Sequence, residues 1–192
     1  MARILAELAT LWPPNNLEVA PVVEPGAKAP SSDKLVIPRA DGKPVLITFL
    51  RHCGCPFAEK DFQLLREVGT ANPSVHCVAV SHSSPAITEK WVNAVGGAGP
   101  IEVIVDEERE LYARWGLGVS NLWHLMNTPT FTNVTKLGRE EGIWNRGEVG
   151  GNRWQSSGSF GVAGDGTMRW SKPSTHAGDI PDFHEALKAV QA

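Results

Sequence analysis

The stretch VLITFL at residues 45–50 runs directly into RHCGC and then into Pro56 and a segment of helical spacing. No other feature narrows the fold as much. The first run, β-branched and aromatic throughout, has the character of a strand covered on both faces. In PFAEKDFQLLREVGTAN, Phe57, Phe62, Leu65 and Val68 recur near helical spacing, and Gly69 and Asn72 supply stop signals. Strand, tight loop and helix therefore follow one another without a spacer.

The same alternation continues. SVHCVAV at 74–80 reads as a second buried strand, SHSSPAITEKWVNAV as a turn and helix, IEVIVD at 101–106 as a third strand, and EERELYARWG as a helix ending at Gly116. Repeated strand-helix-strand order implies a sheet that is at least partly parallel. Regularity then fails from Gly118 to Arg153, and an insertion of that length is usually functional or mobile. SGSFGVAGDGTMRWS follows as a hairpin turning at Asp165-Gly166. IPDFHEALKAVQA closes as an amphipathic helix, with Pro181 in its first turn and Asp179 as its cap. Ahead of the first strand, residues 13–44 are rich in Pro, Gly, Ser and Asn and read as loops around short edge strands, a lead-in wrapping the domain. Ile4, Leu5, Leu8 and Leu11 mark a short amphipathic helix before it.

With 192 residues, 42% of them apolar, the chain suits one domain over 1–192. A net charge of -3 with no basic stripe argues against nucleic acid, and no run is long and apolar enough to cross a membrane. Three cysteines are too few for a disulfide framework, which makes the cytoplasm the expected compartment. CGC with scattered histidines does not supply a closed zinc centre, so no metal is expected. No cofactor is expected either, because GVAGDG belongs to the hairpin rather than to a nucleotide-binding turn.

Pro56 suits the first helical position, which puts Cys55 at or beside the N-cap. A sulfur there faces unpaired backbone N–H groups and the positive end of the helix dipole, which favour thiolate over thiol. Arg51 and His52 are close enough in sequence to add positive charge. Cys53 is either a resolving thiol, closing a small strained ring with Cys55, or a residue packed under the loop. Cys77, inside a strand, reads as core.

FLRHCGCPFAEKDFQLLRE resembles the active-site junction of the peroxiredoxin-like branch of the alkyl hydroperoxide reductase and thiol-specific antioxidant superfamily. VAVSHSSPAITEKWV, VDEERELYARWGLG and RWQSSGSFGVAGDGTMRWS fit the same pattern in the same order, from about residue 36 to the C-terminus. The resemblance implies an α/β, thioredoxin-like three-layer fold: a central mixed sheet flanked by helices, with a long insertion before the C-terminal hairpin. It implies Cys55 as the nucleophile, with Cys53, Arg51 and His52 around it, and allows a homodimer. Aligned on GCP, the second cysteine of many relatives falls on Ala58. The positions of the usual Thr or Ser and Arg fall on His52 and the QSSG run at 155–158, which leaves Arg51 or Arg153 to substitute as donors to a peroxide. Pro129 mimics the proline that thioredoxins place opposite the nucleophile but reads as a loop proline, so Ser157 or Gly158 is expected to face Cys55.

His82, at the C-terminal end of a strand, is either a substrate-binding group near Cys55 or a helix cap. Trp115, Trp123, His124, Trp144 and Trp154 cluster in and around the insertion, either as aromatic walls of a lid over Cys55 or as a loop held down by its own rings. Two functions follow. One is a thiol-dependent oxidoreductase, with Cys55 attacking a peroxide or disulfide and Cys53 or an external thiol such as glutathione or thioredoxin restoring it. The other is a redox-inactive thioredoxin-fold enzyme or binding protein holding a small organic molecule under the lid.

Overall fold

The computed structural model describes residues 17–120, 128–147 and 150–192. The expected helix at Ile4 to Leu11 and the lid residues Trp123 and His124 lie outside them.

Strand β1 (Val45–Phe49) is the VLITFL run, and every residue in it is buried. It lies at the middle of a five-stranded sheet. β2 (His76–Ser81) pairs with it in parallel and β3 (Ile101–Val105) pairs in parallel with β2. On the other side, β4 (Gly158–Val162) pairs with β1 antiparallel, and β5 (Met168–Pro173) completes the hairpin. Gly166, with φ of +82°, makes the tight turn at Asp165-Gly166.

Side-chain alternation along the strands divides the core in two. Leu46, Cys77 and Ala79 point into one cluster with Phe57, Phe62 and Leu65 of α1 (Pro56–Ala71), Trp91 of α2 (Pro85–Ala94) and Phe183 and Ala186 of α5 (Phe183–Gln191). Val45, Ile47, Phe49, Val78 and Val80 point into the other, with Leu111 and Tyr112 of α3 (Glu110–Arg114), Trp115, and Leu35 and Ile37 of the lead-in. This is the expected mixed sheet between two helical layers. Within residues 17–44 the lead-in forms no named strand; it packs Leu35 and Ile37 inward and meets the hairpin through the bridge between Lys28 and Thr167 and the Gly26 N–H bond to the Met168 carbonyl. Its prolines remove the donors that a ladder needs.

Two further details differ from the sequence reading. The insertion is not irregular throughout, because Thr128–Lys136 form helix α4, continued by a π-helical turn at Leu137–Glu141. Its β-branched residues and Gly138 hid it, although Gly142, in the left-handed region at φ +71°, is a recognisable stop. Pro129 sits in that helix. The cap of α5 is Asp182, which accepts N–H bonds from His184 and Glu185. Asp179 instead accepts from the Thr175 N–H and hydroxyl, and Pro181 precedes the helix.

Phe49 is fully buried, with the rings of Tyr112, Trp115 and Phe160 centred 5.1, 5.4 and 5.8 Å away. Phe49→Ala is expected to cost about 3–5 kcal/mol in denaturant unfolding, because no neighbour in this cage can collapse into the space. A loss below about 1 kcal/mol would show that the cage is not as tightly packed as described.

Candidate functional site

The site is built where β1 ends. Leu50 is held by its N–H to the Val80 carbonyl, and the Tyr112 hydroxyl lies 2.7 and 2.8 Å from the Leu50 and Val80 carbonyls. The chain then folds back on itself: the Cys55 N–H donates to the His52 carbonyl at 3.2 Å, and Gly54 takes φ of +88°, a conformation glycine adopts without strain. Helix α1 begins at Pro56, so Cys55 is its N-cap, as expected. The first intrahelical bond runs from the Glu59 N–H to the Cys55 carbonyl. The N–H groups of Phe57 and Ala58 lie ahead of it, at the positive end of the helix.

Arg51 and Cys55 meet. The guanidinium Nη1 lies 3.8 Å from Cys55 Sγ, while Nη2 donates to the Arg153 carbonyl at 2.8 Å. Both side chains are buried, Cys55 being 3% exposed. His52 does not share in this. Its Nδ1 donates to the Cys53 carbonyl at 2.8 Å, and burial, followed by the Arg51 charge, holds its pKa well below the usual imidazole range. It is a neutral ring and does not supply the positive charge expected of it, whereas Arg51 does.

Cys53 lies on another side of the turn, with its Sγ 3.7 Å from the Ser81 hydroxyl and its N–H 3.4 Å from the Ser83 hydroxyl. Burial pushes its thiol up, and pushes that of Cys77 up to about 12. Neither has a cation at its sulfur among the contacts of the described residues.

The end of the insertion lies against this junction. The Arg146 N–H donates to the Gly54 carbonyl at 3.2 Å, and its side chain grips the buried Glu59 carboxylate through two bonds of 2.6 and 2.7 Å. Lys60 and Glu141 pair beside it. Gly150 bridges to Cys53, and Leu137 and Ile143 pack in the same cluster as Cys55. Glycines are needed where the segment crosses the sheet edge. A Cβ on Gly150 would stand 2.7 Å from Ile87, and one on Gly151, itself at φ +81°, would stand 2.7 Å from the His82 ring. The base of the insertion is stapled by Gln155, whose side-chain amide donates to the Leu117 and Gly118 carbonyls.

His82 is committed to holding this segment. Its Nε2 accepts the Asn152 N–H at 2.8 Å, so the neutral ring carries its proton on Nδ1, facing the Tyr112 hydroxyl at 3.3 Å. Both ring nitrogens have partners within the described protein. The Ser157 hydroxyl donates to the Ser174 hydroxyl at 2.9 Å. Trp115 lies in the opposite core cluster, across the sheet from Cys55, and Trp144 is 53% exposed beside Gly138, so neither walls a pocket over the sulfur. The described part of the insertion brings both kinds of group to the junction: Leu137 and Ile143 pack in the Cys55 cluster, and Arg146, the Arg153 carbonyl and the backbone of 150–152 supply polar contacts.

Sequence reading missed Glu59, Arg146 and Asp61. The signal for Asp61 was available, since it interrupts the apolar stripe 57, 61, 65, 68 of α1 and is 4% exposed.

A family model for the AhpC/TSA antioxidant enzymes matches residues 61–176. This chain belongs to that family. The match to the AhpC/TSA model begins six residues after Cys55, so it covers the scaffold and not the CGC turn. Among solved structures, the chain is similar to a peroxiredoxin-like protein from Aquifex aeolicus, with TM-score 0.62 and 13% identity over 90% of this chain and 89% of that one. It is also similar to a thiol peroxidase from Chromobacterium violaceum, with TM-score 0.54 and 16% identity over 92% and 91% of the two chains. Enterococcus faecalis AhpC gives TM-score 0.51 and 14% identity over 78% and 74%. At these identities the likeness shows the thioredoxin-like fold of the AhpC/TSA family. A search of curated protein sequences found no match. No helix among the described residues is long and apolar enough to cross a membrane.

The neutral histidines make stability depend on pH. Burial lowers the His82 pKa from 6.5 to about 4, so between these values the unfolded chain binds a proton that the folded chain refuses. The stabilisation is complete above the unfolded value and is lost as pH falls, by about 3 kcal/mol for this residue at the bottom of the window. His52 adds in the same direction. Thermal unfolding of His82→Gln should therefore fall less steeply with acidification than that of the parent. Equal slopes would contradict the buried, neutral assignment.

Proposed function

We propose that the chain is a thiol peroxidase in which Cys55 is the nucleophile and Arg51 its activating cation. Three things support this reading: membership of the AhpC/TSA antioxidant enzymes, the N-cap position of Cys55, and, carrying most weight, the Arg51 guanidinium 3.8 Å from the sulfur. A thiolate in that place attacks a hydroperoxide; the S–O bond forms as the O–O bond breaks, giving Cys55 sulfenic acid and an alcohol or water. The buried Arg51 Nε, without a hydrogen-bond partner among the described residues, is the donor for a peroxide oxygen in place of the family's usual groups.

An external thiol of the glutathione or thioredoxin type is the preferred reductant. Ala58 stands where many relatives carry a second cysteine, and the Cys53 thiol is packed on Ser81 with burial holding its proton. In this reading residues 1–192 form one domain, and the insertion over 118–153 covers the sulfur, opening to admit peroxide and reductant. The competing reading, a redox-inactive protein binding a small organic molecule, draws on Ala58 and on the 3% exposure of Cys55.

Peroxide treatment followed by thiol mapping on the intact protein separates the two. Oxygen is expected on Cys55 first, trapped as a sulfenic acid in both the parent and Cys53→Ser, with thiol-dependent peroxide consumption falling by more than about a hundredfold in Cys55→Ser. A Cys55 left unmodified under these conditions supports the binding-protein reading. Oxidation that lands first on Cys53 identifies the wrong sulfur.

A further inference from the structure

Two neighbouring charges near the start of α1 are each met by an opposite charge from the insertion. Glu59 takes both bonds of the Arg146 guanidinium, at 2.6 and 2.7 Å, and Lys60 pairs with Glu141. The first of these pairs brackets Cys55. The Arg146 N–H donates to the Gly54 carbonyl, in the peptide bond just ahead of Cys55, and the Glu59 N–H donates to the carbonyl of Cys55 itself. Arg146 is therefore fastened on both sides of a cysteine that is 3% exposed. Glu59 is 2% exposed, with the Gln63 amide donating to it at 3.1 Å and Arg146 supplying the cation. The stretch around Arg146 is held more lightly. Trp144, Asn145 and Gly147 are exposed, and Gly142 ahead of them has a left-handed φ of +71° and open space where a Cβ would stand. The far end of the cover has its own anchors, because the Asn152 N–H is bonded to His82 and the Arg153 carbonyl to Arg51.

We propose that the Glu59–Arg146 pair is a latch that sets how often Cys55 can be reached, and by how large a molecule. The assignment rests on Cys55 being the working sulfur, as proposed above. While the latch is closed, Arg146 spans the turn from the Gly54 carbonyl to the Glu59 carboxylate. When it parts, residues 144–147 move off the turn, while the Arg153 carbonyl stays on Arg51 and Asn152 stays on His82. The cation at the sulfur is thus kept through the opening, and α1 stays wound. A buried carboxylate left without its cation is costly, so the pair does not separate while the cover stays shut; separation of the charges and opening are one event. A small hydroperoxide needs less clearance than a thiol carried on a peptide or a protein, so the latch acts most strongly on the reductant.

Alkylation of Cys55 in the intact protein reads the latch, with Cys77, buried in β2, as the internal report of unfolding. Glu59→Gln removes a negative charge from the helix that Cys55 caps, and Arg146→Gln removes a positive one from the same place. A purely electrostatic influence on the thiolate would therefore move the rate in opposite directions. A latch moves it the same way in both. Alkylation of Cys55 is expected to rise at least about fivefold in either variant, more with a bulky maleimide than with iodoacetamide, and the double variant to gain no more than about twofold over the faster single one. Rates that move in opposite directions, or that stay within about twofold of the parent while Cys77 remains protected, overturn the latch. Should Cys77 react as well, the variant has unfolded and hydrogen exchange of the parent decides: the Arg146 amide is expected to exchange faster than those of Glu59 and Leu65 in α1, and a common rate overturns the proposal. Failure of the peroxidase reading looks different. Peroxide then leaves Cys55 unoxidised while the alkylation pattern holds, which supports the latch and overturns the activity.

Discussion

A guanidinium 6% exposed at the end of the central strand sets the terms for the rest of the site. Burying Arg51 is costly unless its donors are met, and the partners it finds lie on different parts of the chain. The sulfur of Cys55 comes from the cap of α1 and the Arg153 carbonyl from the end of the insertion. One charge therefore joins the turn, the helix and the covering segment. The Glu59–Arg146 pair and the His82–Asn152 bond hold the same segment from either side. Removing the covering segment would leave Arg51 without a carbonyl, Glu59 without a cation and His82 without a donor at once.

The three sulfurs show how local environment separates identical chemistry. Cys77 lies in a strand among apolar side chains, and Cys53 lies on a hydroxyl in a closed corner; burial acts on both to keep the proton on. Cys55 is as buried as they are but sits against a cation and a helix end. The segment that lies against the Cys55 turn adds Arg146 and the Arg153 carbonyl beside the apolar Leu137 and Ile143.

Much of this was legible in the sequence. The central strand, the Pro56 helix start with Cys55 at its cap and the Asp165-Gly166 turn each carry a strong local signal, in strand composition or in proline and glycine placement. The missed features depend on tertiary partners. Helix α4 is built from residues of weak helix propensity, so the sequence carries little helical signal there. Asp182 and Asp179 are equally good caps by type, and only the path of the chain decides between them. Trp115 groups with the insertion by proximity in sequence, whereas it caps the end of α3 and packs on Phe49 and Phe160 in the opposite core cluster. His52 and His82 could be placed near the site, but their neutrality follows from burial, which spacing does not reveal. The family match adds scaffold rather than chemistry, since it starts beyond the CGC turn.

The central claim is that the Arg51 charge makes Cys55 the reactive sulfur. Competitive alkylation of the intact protein by limiting iodoacetamide at neutral pH, read thiol by thiol, tests it most directly in the parent and in Arg51→Gln. Cys55 should be modified first in the parent, ahead of Cys53 and Cys77, and should lose most of that advantage in the variant. Modification of Cys53 ahead of Cys55, or an Arg51→Gln protein in which Cys55 reacts as fast as before, would contradict the account.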